Sequence, residues 1–197
     1  PLVLIDRIFD DVKSDAVITN NEESVIEAVC YLAKLGHTRI AFVRGQKDIY
    51  TIKNRLVGYK EGLKKCNIEF REEYLVGEGF EYEDGYEAMQ KLIDLPELPT
   101  AIISSGGDLV TVGVIKAIME KELKIPEDIS IIAFFDSIYT PILITPLTTI
   151  SHFRKKIGQE AFQLLMDQIN SNVKIPPRVI CVDTQFQGRD STIAPRK

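Results

Sequence analysis

Four short segments hold most of the residues that could bind or transform a small molecule. Each follows an apolar run of the kind that forms a buried strand, and open parallel sheets bind ligands beyond the carboxyl ends of their strands. The segments combine aromatic side chains with a few charged ones, a mixture that suits a small-molecule cleft. They are residues 44–51, 78–82, 104–108 and 134–139. Aromatic side chains at these places are equally compatible with capping the core.

Catalytic chemistry finds little support. The two histidines, His37 and His152, lie far apart without metal-ligand spacing, and the sequence holds no nucleophile elbow, Walker loop or HExxH motif. His37 follows a helix end, where a structural hydrogen bond is the expected role. The Ser-Ser-Gly-Gly turn at 104–107 could offer backbone N–H groups to an anion, although glycine serves any tight turn. Acidic residues within 78–87 resemble a carboxylate pair but fit a solvated helix N-terminus better. We therefore expect no catalytic residue, metal site or cofactor.

The composition is that of an ordinary globular chain. It has 197 residues, 45% hydrophobic and 27% charged, with a formal net charge of -5 and no basic stripe for nucleic acid. No apolar run approaches the roughly 20 residues of a membrane span, and the start lacks the features of a secretory signal. The chain opens inside an apolar run, so we expect an upstream portion to be missing. Cys30, Cys66 and Cys181 have no metal-binding spacing and are expected to be buried apolar residues in a reducing, cytoplasmic compartment.

Apolar runs alternate with segments of helical spacing along the whole chain. This alternation predicts a doubly wound α/β fold with mostly parallel sheets. Asn20 or Asn21 is expected to cap the first helix, and Gly58 and Gly62 to let a later helix approach the sheet closely. The predicted strands are 3–5, 39–43, 74–76, 100–103, 129–134 and 179–182, and the last three predicted helices are 83–94, 108–121 and 154–170.

The helix that begins at Asp108 is apolar nearly all round. Such a helix is buried on more than one side. One side can face the sheet, and the other predicts a homodimer interface through Val110, Val114 and Ile118. The alternative is a helix covered entirely by its own chain.

Seven segments, in order and over nearly the whole chain, resemble the LacI/GalR family of bacterial transcription regulators. They are PLVLIDR, LAKLGHTRIAFVRG, NRLVGYKEGL, GYEAMQKLI, PTAII, IPEDISIIAFFD and TPLTTI. The resemblance implies a two-lobed core like that of periplasmic binding proteins, with part of the N-terminal lobe absent. It also implies that operator DNA is bound only by an N-terminal helix-turn-helix head, which is absent here. The expected division is 1–19 in the N-terminal lobe, 20–145 in the C-terminal lobe, 146–173 returning to the first, and 174–197 as a tail in the second.

The same resemblance implies an effector site between the lobes. The ligand-gripping arginine of the family matches Arg55, and an aromatic position matches Phe80. Gly107 stands where the family commonly has asparagine, and Phe135 where it commonly has the first of two aspartates. The remaining expected effector-site residues are Tyr50, Asp108 and Asp136.

Losing that amide and carboxylate leaves fewer partners for sugar hydroxyls, which disfavours a plain hexose because unpaired buried polar groups cost about 1–3 kcal/mol each. We expect a flatter, less hydroxyl-rich or anionic effector that stacks on Phe80 or Phe135 and is neutralised by Arg55.

The sequence thus favours the ligand-sensing and dimerising core of a transcription regulator. A solute-binding protein of a transporter shares the two-lobed fold and is the main alternative. An enzyme that uses the turn at 104–107 to hold a phosphate is a third.

Overall fold

A computed structural model describes residues 1–173 and 175–196 of the chain. In this part the strands are β1 (Val3–Ile5), β2 (Asp15–Thr19), β3 (Ile40–Val43), β4 (Leu75–Val76), β5 (Ala101–Ser104), β6 (Ser130–Ala133), β7 (Thr148–His152), β8 (Val179–Val182) and β9 (Thr184–Gln187). The helices there are α1 (Asn21–Lys34), α2 (Tyr50–Lys65), α3 (Tyr82–Ile93), α4 (Asp108–Glu120) and α5 (Arg154–Asn170). Lys174, where the expected tail begins, lies outside the described residues.

The strands form two sheets. The smaller has the order β1-β2-β8 and is parallel throughout. The larger has the order β4-β3-β5-β6-β7-β9 and is parallel except for the last pair. Helices α1 and α2 cover one face of the larger sheet, and α3 and α4 cover the other. The predicted α/β architecture with two mostly parallel sheets is confirmed.

Alternating residues of the central strands divide the core between these two helical layers. In β3, Ile40 and Phe42 pack towards α1 and α2, whereas Ala41 and Val43 pack towards α3 and α4. Every residue of this strand is buried, as expected for a parallel strand covered on both faces. Gly58 was expected to let α2 approach the sheet, but it lets α2 approach the backbone of α1 instead. A Cβ at this position would meet the carbonyl of Glu22.

Three strands were not predicted from the sequence. β7 and β9 each contain a single apolar residue, so a search for continuous apolar runs overlooks them. β2 contains such a run, Ala16 to Ile18 between Asp15 and Thr19, but was not predicted. β7 is a parallel neighbour of β6 and the antiparallel neighbour of β9, so both join the larger sheet through their backbone hydrogen bonds.

The chain passes between the sheets three times. It leaves the smaller sheet after Thr19, returns after His152 through α5, which packs on β1 and β2, and crosses again after Val182. The last two crossings fall later than the expected boundaries at 146 and 174. Hydrogen bonds join the first crossing to the third: the Thr184 amide donates to Asn20 Oδ1 at 2.8 Å. The expected cap residue Asn20 thus fastens two crossovers with its side chain.

The structure corrects the expected interface on α4. Val110, Val114 and Ile118 are fully buried and belong to the core beneath α3 and the larger sheet. They cannot contact a second chain in the folded protein. The exposed face of α4 carries Leu109 and Val112 instead, which are 49% and 52% exposed. The sequence showed that both faces are apolar, but only packing decides which one is covered.

Candidate ligand-binding site

Carboxyl ends of strands from both sheets supply a cluster of polar side chains. Asp6 follows β1 of the smaller sheet, and Ser105 and His152 lie at the ends of β5 and β7 of the larger one. Arg55, on the helix that follows β3, reaches the same place. Parallel strands present their carboxyl ends at one edge of a sheet, where α/β proteins bind ligands. The cluster therefore occupies the position expected for a ligand site.

Arg55 is the centre of this cluster. Its Nε donates to Asn21 Oδ1 at 2.7 Å, and its Nη1 donates to the Ser105 carbonyl at 2.8 Å. The guanidinium carbon lies 3.7 Å from the centroid of the Phe134 ring, in cation–π contact. These contacts fix the plane of the guanidinium. Its other terminal nitrogen, Nη2, has no hydrogen-bond partner in the described part of the chain and can bind a ligand.

Burial disfavours the charged form of Arg55. Desolvation lowers the pKa of its guanidinium to about 9, and the carboxylate of Asp6 acts in the opposite direction. Arg55 therefore carries a positive charge at neutral pH in a place where water supplies little solvation. An anionic or strongly accepting group next to Nη2 would recover part of that lost solvation.

His152 lies beside the guanidinium. Its ring centroid is 5.4 Å from that of Phe134, and its Nε2 is buried without a hydrogen-bond partner in the described residues. Burial and the positive charge of Arg55 lower the pKa of His152 to about 4, while Asp6 opposes them. The imidazole is therefore neutral at pH 7 and has one ring nitrogen available to a ligand.

Ser105 adds a second buried polar atom without a partner. Its residue is fully buried, and its Oγ makes no hydrogen bond to any described residue. An unpaired buried hydroxyl costs free energy, so a buried site that contains one fits a function better than a purely structural role. Ser105 lies in the segment 104–108 that the sequence predicted to face a ligand, whereas His152 was not expected here. His152 was missed because β7 was not predicted. A predicted strand that ends at His152 would have placed this residue at the carboxyl edge of the sheet.

The structure separates the seven residues expected to bind the effector. Arg55 lies at the centre of the cluster. Phe80, 37% exposed, packs its ring over Gly45 at the end of β3, and Tyr50 begins α2. Gly107 is the residue before α4 and has a φ of 100°.

Phe135, Asp108 and Asp136 do not contact the Arg55 cluster. Phe135 and Asp108 line a different cavity beside α4. Phe134 faces Arg55 because neighbouring residues of an extended strand end point to opposite faces. The carboxylate of Asp136 is paired with Arg189 at 2.9 Å and accepts a hydrogen bond from Thr140.

The other residues considered for chemistry have structural partners. His37 bonds to Thr100 Oγ1 at 2.9 Å and to the Ile193 carbonyl at 2.8 Å, which fastens the C-terminal segment to the larger sheet. The Glu81 amide donates to the Asp84 carboxylate at 2.9 Å, at the start of α3. The acidic residues therefore form a helix N-terminus, as the sequence favoured. The described residues hold no group of three or more metal-ligating side chains.

Comparisons with known proteins agree with the fold. The periplasmic binding protein-like domain matches residues 29–192. The HTH-type transcriptional repressor CytR of Escherichia coli (strain K12) is 36% identical over 169 residues, which cover 86% of this chain and 49% of CytR. The chain thus spans about half the length of the curated relative.

Solved structures give the same assignment. A transcriptional regulator LacI from Bacillus cereus subsp. cytotoxis superposes with a TM-score of 0.91 at 30% identity, covering 98% of this chain and 68% of that one. A sugar-binding transcriptional regulator of the LacI family from Escherichia coli, complexed with phosphate, superposes with a TM-score of 0.86 at 27% identity. That match covers 99% of this chain and 69% of the other. No helix among the described residues is long and apolar enough to span a membrane.

Proposed function

Because this chain belongs to the periplasmic binding protein-like family and is the ligand-sensing core of a LacI-type regulator, we propose that it binds an anionic effector at Arg55. The observation that carries the proposal is a buried guanidinium whose Nη2 has no partner among the described residues, in a cluster that also holds two unpartnered polar atoms. Those atoms are His152 Nε2 and Ser105 Oγ. An effector that fills all three positions removes the cost of leaving them unpaired.

The effector class follows from what surrounds Arg55. One face of Phe134 is taken by the guanidinium, so this ring does not stack on a ligand with that face. Phe80 is an exposed aromatic at the same edge of the sheet and can stack on a flat group. Among the related regulators, the sugar-binding one from Escherichia coli is complexed with phosphate, which is an anion of the proposed class. A flat or phosphorylated metabolite fits better than a neutral hexose.

Binding between the lobes would report the effector to the rest of the regulator. Asp6 follows a strand of the smaller sheet, and Arg55 lies on a helix packed against the larger one. A ligand whose anionic group meets Arg55 and whose N–H or O–H group donates to Asp6 favours one relative position of the sheets. A ligand shifts such an equilibrium only by its difference in affinity for the two positions. We propose that this shift changes operator binding by a helix-turn-helix segment outside this chain, and that the protein acts in the cytoplasm, where operator DNA lies.

Calorimetry with a panel of ligands tests the effector site. The panel contains neutral hexoses, purines and phosphorylated metabolites, and each is titrated into the parent chain, Arg55→Met and Arg39→Met. Arg39 is the matched control, because it is half-buried at the opposite end of β3 and its Nε donates only to the Leu98 carbonyl. We expect an anionic or flat ligand to bind the parent and the control but not Arg55→Met. Tight binding of a neutral hexose, or equal binding by Arg55→Met, would contradict the proposal.

We further propose that the exposed face of α4 and segment 137–145 pair with a second copy of this chain. Leu109, Val112 and Met119 form an apolar ridge, with Met119 62% exposed. Beside it lies an apolar cavity of about 570 Å³ that is also lined by Tyr139 and Ile144. A ridge and a cavity on one surface suit two-fold pairing, in which each chain inserts its ridge into the other. Monomeric proteins rarely expose contiguous apolar surfaces of this kind.

Sedimentation of two charge variants tests this surface. Val112→Glu places a carboxylate in the ridge, whereas Val57→Glu places one on an equally exposed valine of α2, outside the surface. We expect the parent and Val57→Glu to sediment as dimers and Val112→Glu as a monomer. A dimer that survives Val112→Glu at the same concentration would exclude this surface as the interface.

A further inference from the structure

Two cysteines that are distant in sequence lie in contact on the helices that cover the larger sheet. Cys30 lies in α1, and Cys66 is the residue that follows α2. Their Sγ atoms are 3.1 Å apart, with the Cys66 thiol donating to Cys30, and both residues are half-buried rather than fully buried. A disulfide bond is about 2.05 Å long, so a small displacement of two side chains would bring the sulfurs to bonding distance.

The contact is held by two helices packed at close range. α1 and α2 lie side by side on the same face of the larger sheet. Gly62, one turn before Cys66, permits this approach, since a Cβ there would lie 2.8 Å from the Val29 side chain. Val29 immediately precedes Cys30. The glycine therefore sets the spacing of the helices at the point where the sulfurs meet.

A surface cavity of about 470 Å³ opens onto Cys30. Lys34 and Lys65 line it together with Glu27 and Tyr31. A small oxidant can therefore reach the sulfur of Cys30 without local unfolding. Cys181, by contrast, is exposed on β8, at a strand of the smaller sheet. The expectation that all three cysteines are buried apolar residues is wrong.

We propose that Cys30 and Cys66 form a thiol–disulfide site that is oxidised by a low-molecular-weight disulfide such as glutathione disulfide. The Cys30 thiolate attacks one sulfur of the oxidant, breaks its S–S bond and releases one glutathione thiolate, which takes up the proton lost by Cys30. The Cys66 thiolate then attacks Cys30 Sγ in the mixed disulfide and releases the second glutathione. Two protein thiols lose two electrons and two protons, and one glutathione disulfide becomes two molecules of glutathione.

The order of attack follows from the geometry. The cavity opens onto Cys30, and a thiolate at Cys30 would accept the S–H of Cys66. Burial and the hydrogen bond to Cys30 raise the pKa of the Cys66 thiol to about 11, although Lys65 and Lys34 oppose the shift. Cys66 is therefore a poor first nucleophile, since the thiolate is the attacking species. Once Cys30 is bonded to glutathione, it no longer carries the negative charge that raises the pKa of Cys66, and Cys66 can attack in the second step.

The disulfide would join the two helices that hold the ligand-binding arginine. Asn21, at the start of α1, accepts the hydrogen bond from Arg55 Nε, and Arg55 lies on α2. A covalent link between these helices restricts the unfolded chain more than the folded one. We therefore expect oxidation to raise the melting temperature without disturbing the contact between Asn21 and Arg55.

Equilibration in glutathione buffers tests the proposal. The full chain and the variants Cys30→Ser, Cys66→Ser and Cys181→Ser are incubated at rising ratios of glutathione disulfide to glutathione, quenched in acid and alkylated for mass spectrometry. We expect the parent and Cys181→Ser to lose two hydrogen atoms and to yield one linked peptide pair containing positions 30 and 66. Melting followed by circular dichroism should show a higher midpoint for these two oxidised proteins only.

Two results would overturn the proposal. In the first, Cys30 and Cys66 both remain open to alkylation at a ratio that modifies Cys181 with glutathione. In the second, the linked pair forms but lowers the melting midpoint, which would show that the folded chain must distort to form it. The three serine variants are conservative, and their folding can be checked by the same melts under reducing conditions.

Discussion

Replacing Arg55 by methionine separates a ligand-binding role from a structural one. Methionine keeps an apolar stem like that of arginine but carries no charge, and it removes the cation–π contact with Phe134. The substitution removes the hydrogen bonds to Asn21 Oδ1 and to the Ser105 carbonyl. Hydrogen bonds to a charged group are worth about 1.5–3 kcal/mol each, so their loss costs about 3–6 kcal/mol.

The same substitution relieves the cost of burying the charge. The pKa of Arg55 falls from 12.5 to about 9, chiefly because the group is desolvated. At about 1.4 kcal/mol per pH unit, this difference disfavours the charged form by about 5 kcal/mol. The free energy lost with the hydrogen bonds and the free energy gained by removing the buried charge nearly cancel. We therefore expect the free energy of unfolding of Arg55→Met to lie within about 2 kcal/mol of the parent value.

Urea unfolding provides the assay, followed by far-ultraviolet circular dichroism because the chain has no tryptophan. Arg189→Met is the matched control. Arg189 holds the carboxylate of Asp136 at 2.9 Å, and its side chain is only 12% exposed. Removing it leaves a largely buried carboxylate unpaired, so we expect a loss of about 3–5 kcal/mol.

The reasoning fails if Arg55→Met shows the large loss of stability expected for Arg189→Met. A loss of more than about 4 kcal/mol in Arg55→Met, with ligand binding preserved, would show that the guanidinium is a structural anchor. A near-neutral Arg55→Met that no longer binds the effector would show that the chain tolerates an energetically expensive group for the sake of its ligand.

Three further predictions concern stability. Burial lowers the pKa of His37, so below about pH 6.5 the unfolded chain binds more protons than the folded one. The free energy of unfolding therefore falls as the pH is lowered. Urea melts of His37→Asn between pH 6.5 and 4.5 should show a shallower fall than those of the parent. An equal slope in both proteins would refute this. Burial alone would raise the pKa of Asp136, but hydrogen bonds from Thr140 and Arg189 hold it below its ordinary value. Its stabilising contribution is therefore present at neutral pH and lost as the pH falls below about 4, where the stabilities of the parent and Asp136→Asn should converge. Gly107→Ala should lower the free energy of unfolding by about 1–3 kcal/mol, because Gly107 has a φ of 100°. Gly158 lies in the interior of α5 with equally open space around it, so Gly158→Ala should raise the free energy of unfolding by about 0.5–1 kcal/mol. Equal effects of the two substitutions would refute the backbone argument.

The arrangement of helices and strands was largely predictable because it depends on local patterns. Apolar runs and helical spacing gave six of the later elements within one residue of their observed bounds, namely α3, β5, α4, β6, α5 and β8. Strands such as Thr184–Gln187 were missed because their side chains alternate between polar and apolar. Such a strand is held by backbone hydrogen bonds to a neighbour, in this case β7, and the sequence of the segment does not name that neighbour.

The candidate site was only partly predictable. A resemblance to a known family indicated Arg55, but nothing local to positions 105 and 152 marks them as its neighbours. They meet because β5 and β7 end at the same edge of one sheet. Asp136 shows the opposite case: its residue type suited ligand binding, yet Arg189, distant in sequence, takes its carboxylate.

By itself the sequence determined the α/β class, the alternation of strands and helices, and the presence of a helix that is apolar nearly all round, since these depend on the order and spacing of side chains. Tertiary structure decided which face of α4 is covered, which carboxylates are already paired, and that Cys30 and Cys66 touch. Each of these depends on residues far apart in the chain that compete for the same neighbour, and that competition is settled only when the sheets and helices have packed.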